Sequence, residues 1–252
     1  MSTTLIQVEE LWKTYRMGGE DFHALKGISF QVPKGELVAI MGTSGSGKST
    51  LMNILGCLDR PTKGHYYFSD LDTTAQTNME LARLRRDHFG FVFQAYNLLP
   101  RTSTYENVEL PLLYASKYSK AERKQIVVEA LEKVGLQQKL ANKSNELSGG
   151  QQQRVAIARA IVNKPNIIFA DEPTGNLDTR TSFEIMAIFQ KLNEQGTTIV
   201  LVTHENDIAN FAQRKVVFKD GHILSDTHNT SPTQALAELE KLPKDPLSNS
   251  IA

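Results

Sequence analysis

An unbroken apolar run, Leu37-Val38-Ala39-Ile40-Met41, leads directly into Gly42-Thr43-Ser44-Gly45-Ser46-Gly47-Lys48-Ser49-Thr50. No other stretch restricts the fold as tightly. A run without polar residues suits a strand covered on both faces, as in a parallel sheet. Beyond the glycines, Leu51, Ile54, Leu55 and Leu58 recur at helical spacing. Strand, glycine loop and helix in this order are the setting that the pattern G-x-x-x-x-G-K-[ST] requires. The glycines let the backbone curl so that successive N–H groups converge on one anion. The helix start adds partial positive charge. Lys48 can then reach β- and γ-phosphates, and Ser49 offers a hydroxyl to Mg²⁺. By itself the loop indicates a nucleotide phosphate; kinases, GTPases and motor proteins all carry one.

The same alternation continues. Ile167-Ile168-Phe169-Ala170 and Ile199-Val200-Leu201-Val202 are further apolar runs, and Ile185, Ile188, Phe189 and Leu192 form another helical stripe. The N-terminal part is different. Leu5–Trp12 and Ala24–Val32 read as antiparallel strands joined through Gly18-Gly19, with His65–Phe68 as a further strand. From about 100 to 146 the strand signal vanishes. Val127, Ala130, Leu131 and Val134 repeat at helical spacing, with Gly135 at a helix end. Asp220-Gly221 marks a hairpin between Lys215–Lys219 and His222–Asp226. These signals predict one large α/β domain over 5–228, with a mostly parallel sheet, an N-terminal antiparallel part and a helical insertion at 100–146. Residues 229–252 are expected to be a polar, flexible tail, apart from a short helix at Ala235–Leu242.

Lys plus Arg and Asp plus Glu both total 28, and the balance argues against general nucleic-acid binding. The one cysteine, Cys57, allows no disulfide within the chain and fits a reducing compartment. No run approaches the roughly 18 apolar residues that span a bilayer, and the start lacks signal-peptide character. The expectation is a soluble chain on the cytoplasmic side, whose role at a membrane depends on a partner.

The run Ile167–Ala170 ends in Asp171-Glu172. In open α/β sheets, ligands bind beyond the carboxyl ends of the strands. Asp171 is thereby placed to hold Mg²⁺, and Glu172 to accept a proton from an attacking water. An acidic turn before Pro173-Thr174-Gly175 is the plainer alternative, and only the phosphate loop tips the balance towards chemistry.

The class is decided by Leu147-Ser148-Gly149-Gly150-Gln151 and the continuation Gln152-Gln153-Arg154-Val155-Ala156-Ile157-Ala158-Arg159-Ala160. This string resembles the signature motif and following helix of ATP-binding-cassette (ABC) ATPases, and Asp171 follows Gln151 by 20 positions, as in that family. Ser148 and the Gly149-Gly150 backbone make an anion-receptive helix start. The resemblance implies that this start serves the ATP of a second copy packed head-to-tail. Ser148 with Gln151 also reads as an ordinary capping pair, and both roles can hold together. The resemblance further assigns Gln94 as the Q-loop residue sensing Mg²⁺ and water, Asp178 to the D-loop that crosses to the partner, and His204 as the switch histidine at the γ-phosphate. Tyr15 resembles the aromatic residue that stacks on adenine; Trp12 and Phe22 are nearby alternatives, and a plain edge-strand tyrosine is another.

Lys13-Thr14-Tyr15-Arg16-Met17-Gly18, Asn97-Leu98-Leu99-Pro100, Glu106-Asn107-Val108 and Thr174–Asp178 resemble the branch serving macrolide exporters, lipoprotein-release complexes and related cell-division systems. This implies an ATP-hydrolysing subunit that energises a separate integral-membrane permease. The apolar stretch Ala95–Pro111 fits either the permease contact or a core of the helical insertion. The rival readings are a soluble ABC ATPase of DNA repair or translation, a small-molecule kinase and a silent binding module. The first lacks its usual coiled-coil insertion or second cassette here. The second would not need Ser148–Gln151 or His204, and the third conflicts with intact hydrolytic positions.

Overall fold

The computed structural model describes residues 4–115 and 117–243. Two sheets organise the chain. The first contains β1 (Thr4–Met17), β2 (Glu20–Pro33), β4 (Lys63–Phe68) and β5 (Leu71–Asp72), in the order β2-β1-β4-β5 and antiparallel throughout. The second has the order β10-β9-β3-β8-β7-β6. It comprises β3 (Leu37–Gly42), β6 (Phe89–Phe93), β7 (Ile167–Asp171), β8 (Thr198–Val202), β9 (Arg214–Lys219) and β10 (His222–His228). All its pairings are parallel except β9 with β10, the hairpin read at Asp220-Gly221.

The apolar runs are buried because both faces of this sheet are covered. Side chains alternate across a strand, and the two cores divide accordingly. Val38, Ile40, Phe169 and Val200 pack towards the antiparallel sheet and α1 (Lys48–Leu55), while Ala39, Ile168, Ala170 and Leu201 pack towards the other helices. These are α5 (Gly149–Ile161), α6 (Thr179–Glu194) and the insertion helices α3 (Thr104–Ala115) and α4 (Lys120–Lys133). The helix α2 (Asn78–His88) precedes β6, and the short α7 (Asn206–Ala209) follows β8. Helix α4 starts with a reciprocal Ser119–Glu122 capping box and stops at Gly135, whose φ is 73°. Its expected stripe, Val127, Ala130, Leu131 and Val134, is buried.

Two expectations need correction, and a third gains detail. First, β1 and β2 each run 14 residues, past Trp12 and back before Ala24. The extra length is a two-stranded ribbon of mostly polar residues that pair across the strands, as Arg16 does with Asp21, and carry no apolar periodicity to read. Second, α1 stops at Leu55 because Gly56 and Cys57 turn the chain, so Leu58 is exposed rather than part of the stripe. Third, residues 229–243, expected as part of a polar tail, make hydrogen bonds to the body of the domain. Asn229 Nδ2 donates to the carbonyls of Asn210 and Ala212, Gln190 Oε1 accepts from the Ala235 N–H, and Arg180 donates to the carbonyls of Leu242 and Pro243. Helix α8 (Ala235–Lys241) lies on α6 with Ala235 fully buried. The rest of the expected tail, 244–252, lies outside the described residues. No helix among the described residues is long and apolar enough to cross a membrane.

The stretch 95–111 divides between its two readings. Val108 is buried, and Leu98 and Tyr105 pack against the same core. Leu110 and Pro111 instead line a second cleft.

Candidate functional site

Beyond the carboxyl ends of β3, β7 and β8 lies an open cleft of about 880 Å³. That is within the range of ligand sites. Gly42, Thr43, Ser44, Gly45, Gly47, Lys48, Ser49 and Thr50 form one wall, and Glu172 and His204 face them. The loop conformation is one that only glycine reaches easily at two points. Gly42 has φ 150°, and a Cβ there would lie 2.3 Å from the Phe218 carbonyl oxygen. Gly47 has φ 105°, and its Cβ would lie 2.6 Å from the Ala24 carbonyl oxygen. The loop is therefore wedged between β9 and β2. The Gly221 N–H also donates to the Ser46 carbonyl at 3.1 Å, and Lys26 N–H to Gly221. Ser46 itself sits behind the wall, its buried Oγ without a partner among the described residues.

Lys48 Nζ folds over the loop and donates to the carbonyls of Gly42 and Thr43 at 2.7 and 2.9 Å. Burial pulls its pKa below the usual lysine value, while Glu172 and Asp171 oppose the shift. Burial pushes the Asp171 carboxyl upward, Glu172 adds to this, and Lys48 opposes it. Lys48 and the two carboxyl groups thus share a partly desolvated corner, where a bound cation would favour the ionised form of Asp171.

Glu172 leaves β7 with φ 44°, in the left-handed region that non-glycine residues enter only under constraint. Its N–H donates to the Val202 carbonyl at 2.8 Å, so β8 anchors the turn. Its Oε1 lies 2.9 Å from His204 Nδ1. His204 follows Thr203, whose Oγ1 accepts the Glu205 N–H and shapes the exit from β8. Gln94 follows the end of β6 next to Asp171, since Phe93 pairs with Asp171. Its amide rests on Gly175, where a Cβ would come within 2.7 Å of Nε2.

The structure brings the phosphate loop, Asp171, Glu172 and His204 together, with Gln94 on the turn behind them. It keeps Ser148, Gly149, Gly150 and Gln151 apart, since none lines this cleft. Ser148 caps α5 by accepting the Gln151 N–H at 3.3 Å. Gly149 and Gly150 rest against Tyr96, Leu177 and Thr181. Asp178 caps α6, accepting from the Thr181 N–H and hydroxyl at 3.0 and 2.6 Å.

Tyr15 is on the rim. Its hydroxyl donates to Asp59 Oδ2 at 3.1 Å, and Lys13 Nζ lies 4.9 Å from its ring centroid while pairing with Asp59 Oδ1 at 2.6 Å. Burial is the chief cause that raises the pKa of this phenol. Phe22, its cross-strand neighbour, lines the cleft directly, as does Asn206. Sequence reasoning missed the pairing of Lys13 with Asp59, because the ribbon and the turn after α1 become neighbours only in the fold, and it missed Asn206, which lines the cleft from α7.

A second cleft of about 780 Å³ opens between α2, β6 and α3, with Phe91, Phe93, Leu110 and Tyr114 beside Arg83 and Arg159.

Against known proteins, the family model described as "ABC transporter" matches residues 25–175. The uncharacterized ABC transporter ATP-binding protein YvrO of Bacillus subtilis is 50% identical over 222 residues, covering 88% of this chain and 96% of the relative. The macrolide export ATP-binding/permease protein MacB of Syntrophobacter fumaroxidans is 53% identical over 87% of this chain, which spans 31% of that longer protein. Among solved structures, the dimeric post-hydrolysis state of the cassette MJ0796 from Methanocaldococcus jannaschii, bound to ADP and Pi, is 47% identical with a TM-score of 0.83. The match covers 88% of this chain and 98% of that one. The chain belongs to the ABC transporter family, as an ATP-binding and ATP-hydrolysing subunit of the branch that includes MacB-type cassettes.

Proposed function

We propose that two copies of this chain close head-to-tail around two ATP molecules and drive a separate integral-membrane permease from the cytoplasmic face of the membrane. The observation that carries the dimer is the separation of Ser148–Gln151 from the cleft that holds Lys48 and Glu172. A capped, glycine-containing helix start is a ready anion site, and in one chain it has no phosphate to meet. The dimeric MJ0796 cassette supports the same arrangement.

Within each cleft, the N–H groups of 43–49 and Lys48 take the phosphates. Tyr15, held by Lys13 and Asp59, stacks on the base. Mg²⁺ suits the hard oxygen donors here, Ser49 hydroxyl and Asp171 carboxylate, with Gln94 beside them; few protein ligands plus phosphate oxygens is its usual coordination. When bound, it supplies charge neutralisation of the β- and γ-phosphates. Glu172 takes a proton from the attacking water through the oxygen that His204 leaves free. His204 Nδ1 holds the other oxygen, and Nε2 is the nitrogen left to face the γ-phosphate. Proton transfer of this kind contributes about 10²–10⁴-fold.

The second cleft is the permease contact. Its aromatic floor and arginine rim form an apolar surface of the kind that marks a protein partner. Residues 5–228 act as the ATPase domain, and the insertion at 100–146 carries motion to the permease.

Glu172→Gln tests the hydrolytic assignment. It should bind ATP with near-normal affinity, lose at least a hundredfold in turnover, and accumulate closed dimers on size-exclusion chromatography. Near-normal phosphate release would remove Glu172 from its role.

A further inference from the structure

Gln153 is a fully buried polar side chain that the hydrolytic reading leaves unused. It lies on α5. Its Nε2 donates to the Pro173 carbonyl at 2.6 Å. Its Oε1 has no partner among the described residues, and neither has the buried Oγ1 of Thr174. Burying an amide with one end unsatisfied is unfavourable, so a packed apolar side chain would serve a purely structural role better.

The bond falls on the carbonyl of Pro173, the residue that follows Glu172. With φ at 44°, Glu172 is strained and stays in place only if its surroundings over-determine it. Three backbone bonds also hold the turn: Glu172 N–H to Val202, Gly175 N–H to Glu172, and Leu177 N–H to Thr174. All three arise from the sheet or the turn itself. Among the described residues, the Gln153 bond is the one hydrogen bond that ties the turn to the helix that begins at Ser148. The two residues are five positions apart, about 7.5 Å along a rigid helix.

We propose that Gln153 is a positioning residue for Glu172, linking the helix start that meets the second copy's ATP to the turn that aims this chain's own base. The proposal rests on the reading of Glu172 as base and of Ser148 as the site facing the partner's nucleotide. Under it, a phosphate seated at Ser148 in one half of the dimer steadies the carboxylate that acts in the other half.

The test uses Gln153→Leu, with Gln153→Met as the second variant should the first not fold. Either should lower kcat about tenfold, while Kd for a fluorescent ATP analogue and KM stay within twofold and the Tm remains close to the parent. The discriminating measurement is single-turnover hydrolysis in the Glu172→Gln background. There, either Gln153 change should leave the residual rate unaltered, because no base remains to be aimed. A further fall by the same factor would show that Gln153 serves the fold or the nucleotide instead, and would overturn the proposal. So would an unchanged kcat in the single variant while Glu172→Gln is inactive, an outcome that leaves the base assignment standing. Normal turnover by Glu172→Gln would remove both.

Discussion

At the scale of single residues, burial opposes the ordinary charge of Lys48 and Asp171, and neighbours of opposite charge favour it. Asp59 shows how far this reaches from the cleft. Burial would raise its pKa, but hydrogen bonds from Lys13, the Arg60 N–H and Tyr15 outweigh that and hold it below the usual value. Such a carboxylate contributes stability that is complete above its unfolded pKa of about 3.9 and is lost as pH falls through the lower folded value. The Tm of the parent should therefore drop on acidification below about pH 4 more steeply than that of Asp59→Asn. At neutral pH, Asp59→Asn should raise KM for ATP several-fold with kcat little changed, since it frees Tyr15 without touching Glu172; steady-state kinetics checks this. The residues proposed for hydrolysis stand out in the sequence because each sits where a motif meets the end of an apolar run. The roles of Lys13, Asp59 and Gln153 do not. They come from contacts between distant segments, and a glutamine in a helix looks the same in sequence whether it faces solvent or a buried carbonyl.

At the scale of elements, the parallel sheet was readable because burial on both faces leaves uninterrupted apolar runs. The ribbon of β1 and β2 and the contacts of 229–243 were hidden, since they depend on polar side chains and backbone bonds. The same kind of polar clasp fixes the hairpin β9–β10. Arg214 donates to the Gln31 carbonyl of β2 and to both oxygens of Asp226 on β10, and also meets Glu36 at 3.2 Å. Glu36 is only 8% exposed. Arg214→Met should leave that carboxylate unpaired at a cost of about 3 kcal/mol, the lower end for a broken buried pair because Asp226 is partly solvated. In a chain of this size the expected Tm loss is roughly 6–12 °C by calorimetry. A change within a degree or two would mean that the clasp contributes little. Replacing Glu36 by Gln in the same background should recover part of the loss.

At the scale of the whole molecule, the proposed dimer gives each chain one half of two different sites. Specific ATPase activity should therefore fall as the protein is diluted, because a bimolecular step precedes chemistry; measuring phosphate release per chain across a concentration series tests this, and a flat profile would exclude it. Adding Glu172→Gln chains to a fixed amount of parent should change the rate at dilutions where the parent alone is nearly silent. The position of β3 has another consequence. Its neighbours on either side are β8 and β9, and Leu37 is bonded to Gln213, 176 residues away. The phosphate loop is wedged against Phe218 and Gly221 as well. A nascent chain emerging from the ribosome thus exposes the loop early but lacks the supports that shape it, and long-range pairing of this kind forms late. Translation must pass β9 and its hairpin before ATP has anything to bind, so an unfinished chain can neither capture the nucleotide nor spend it.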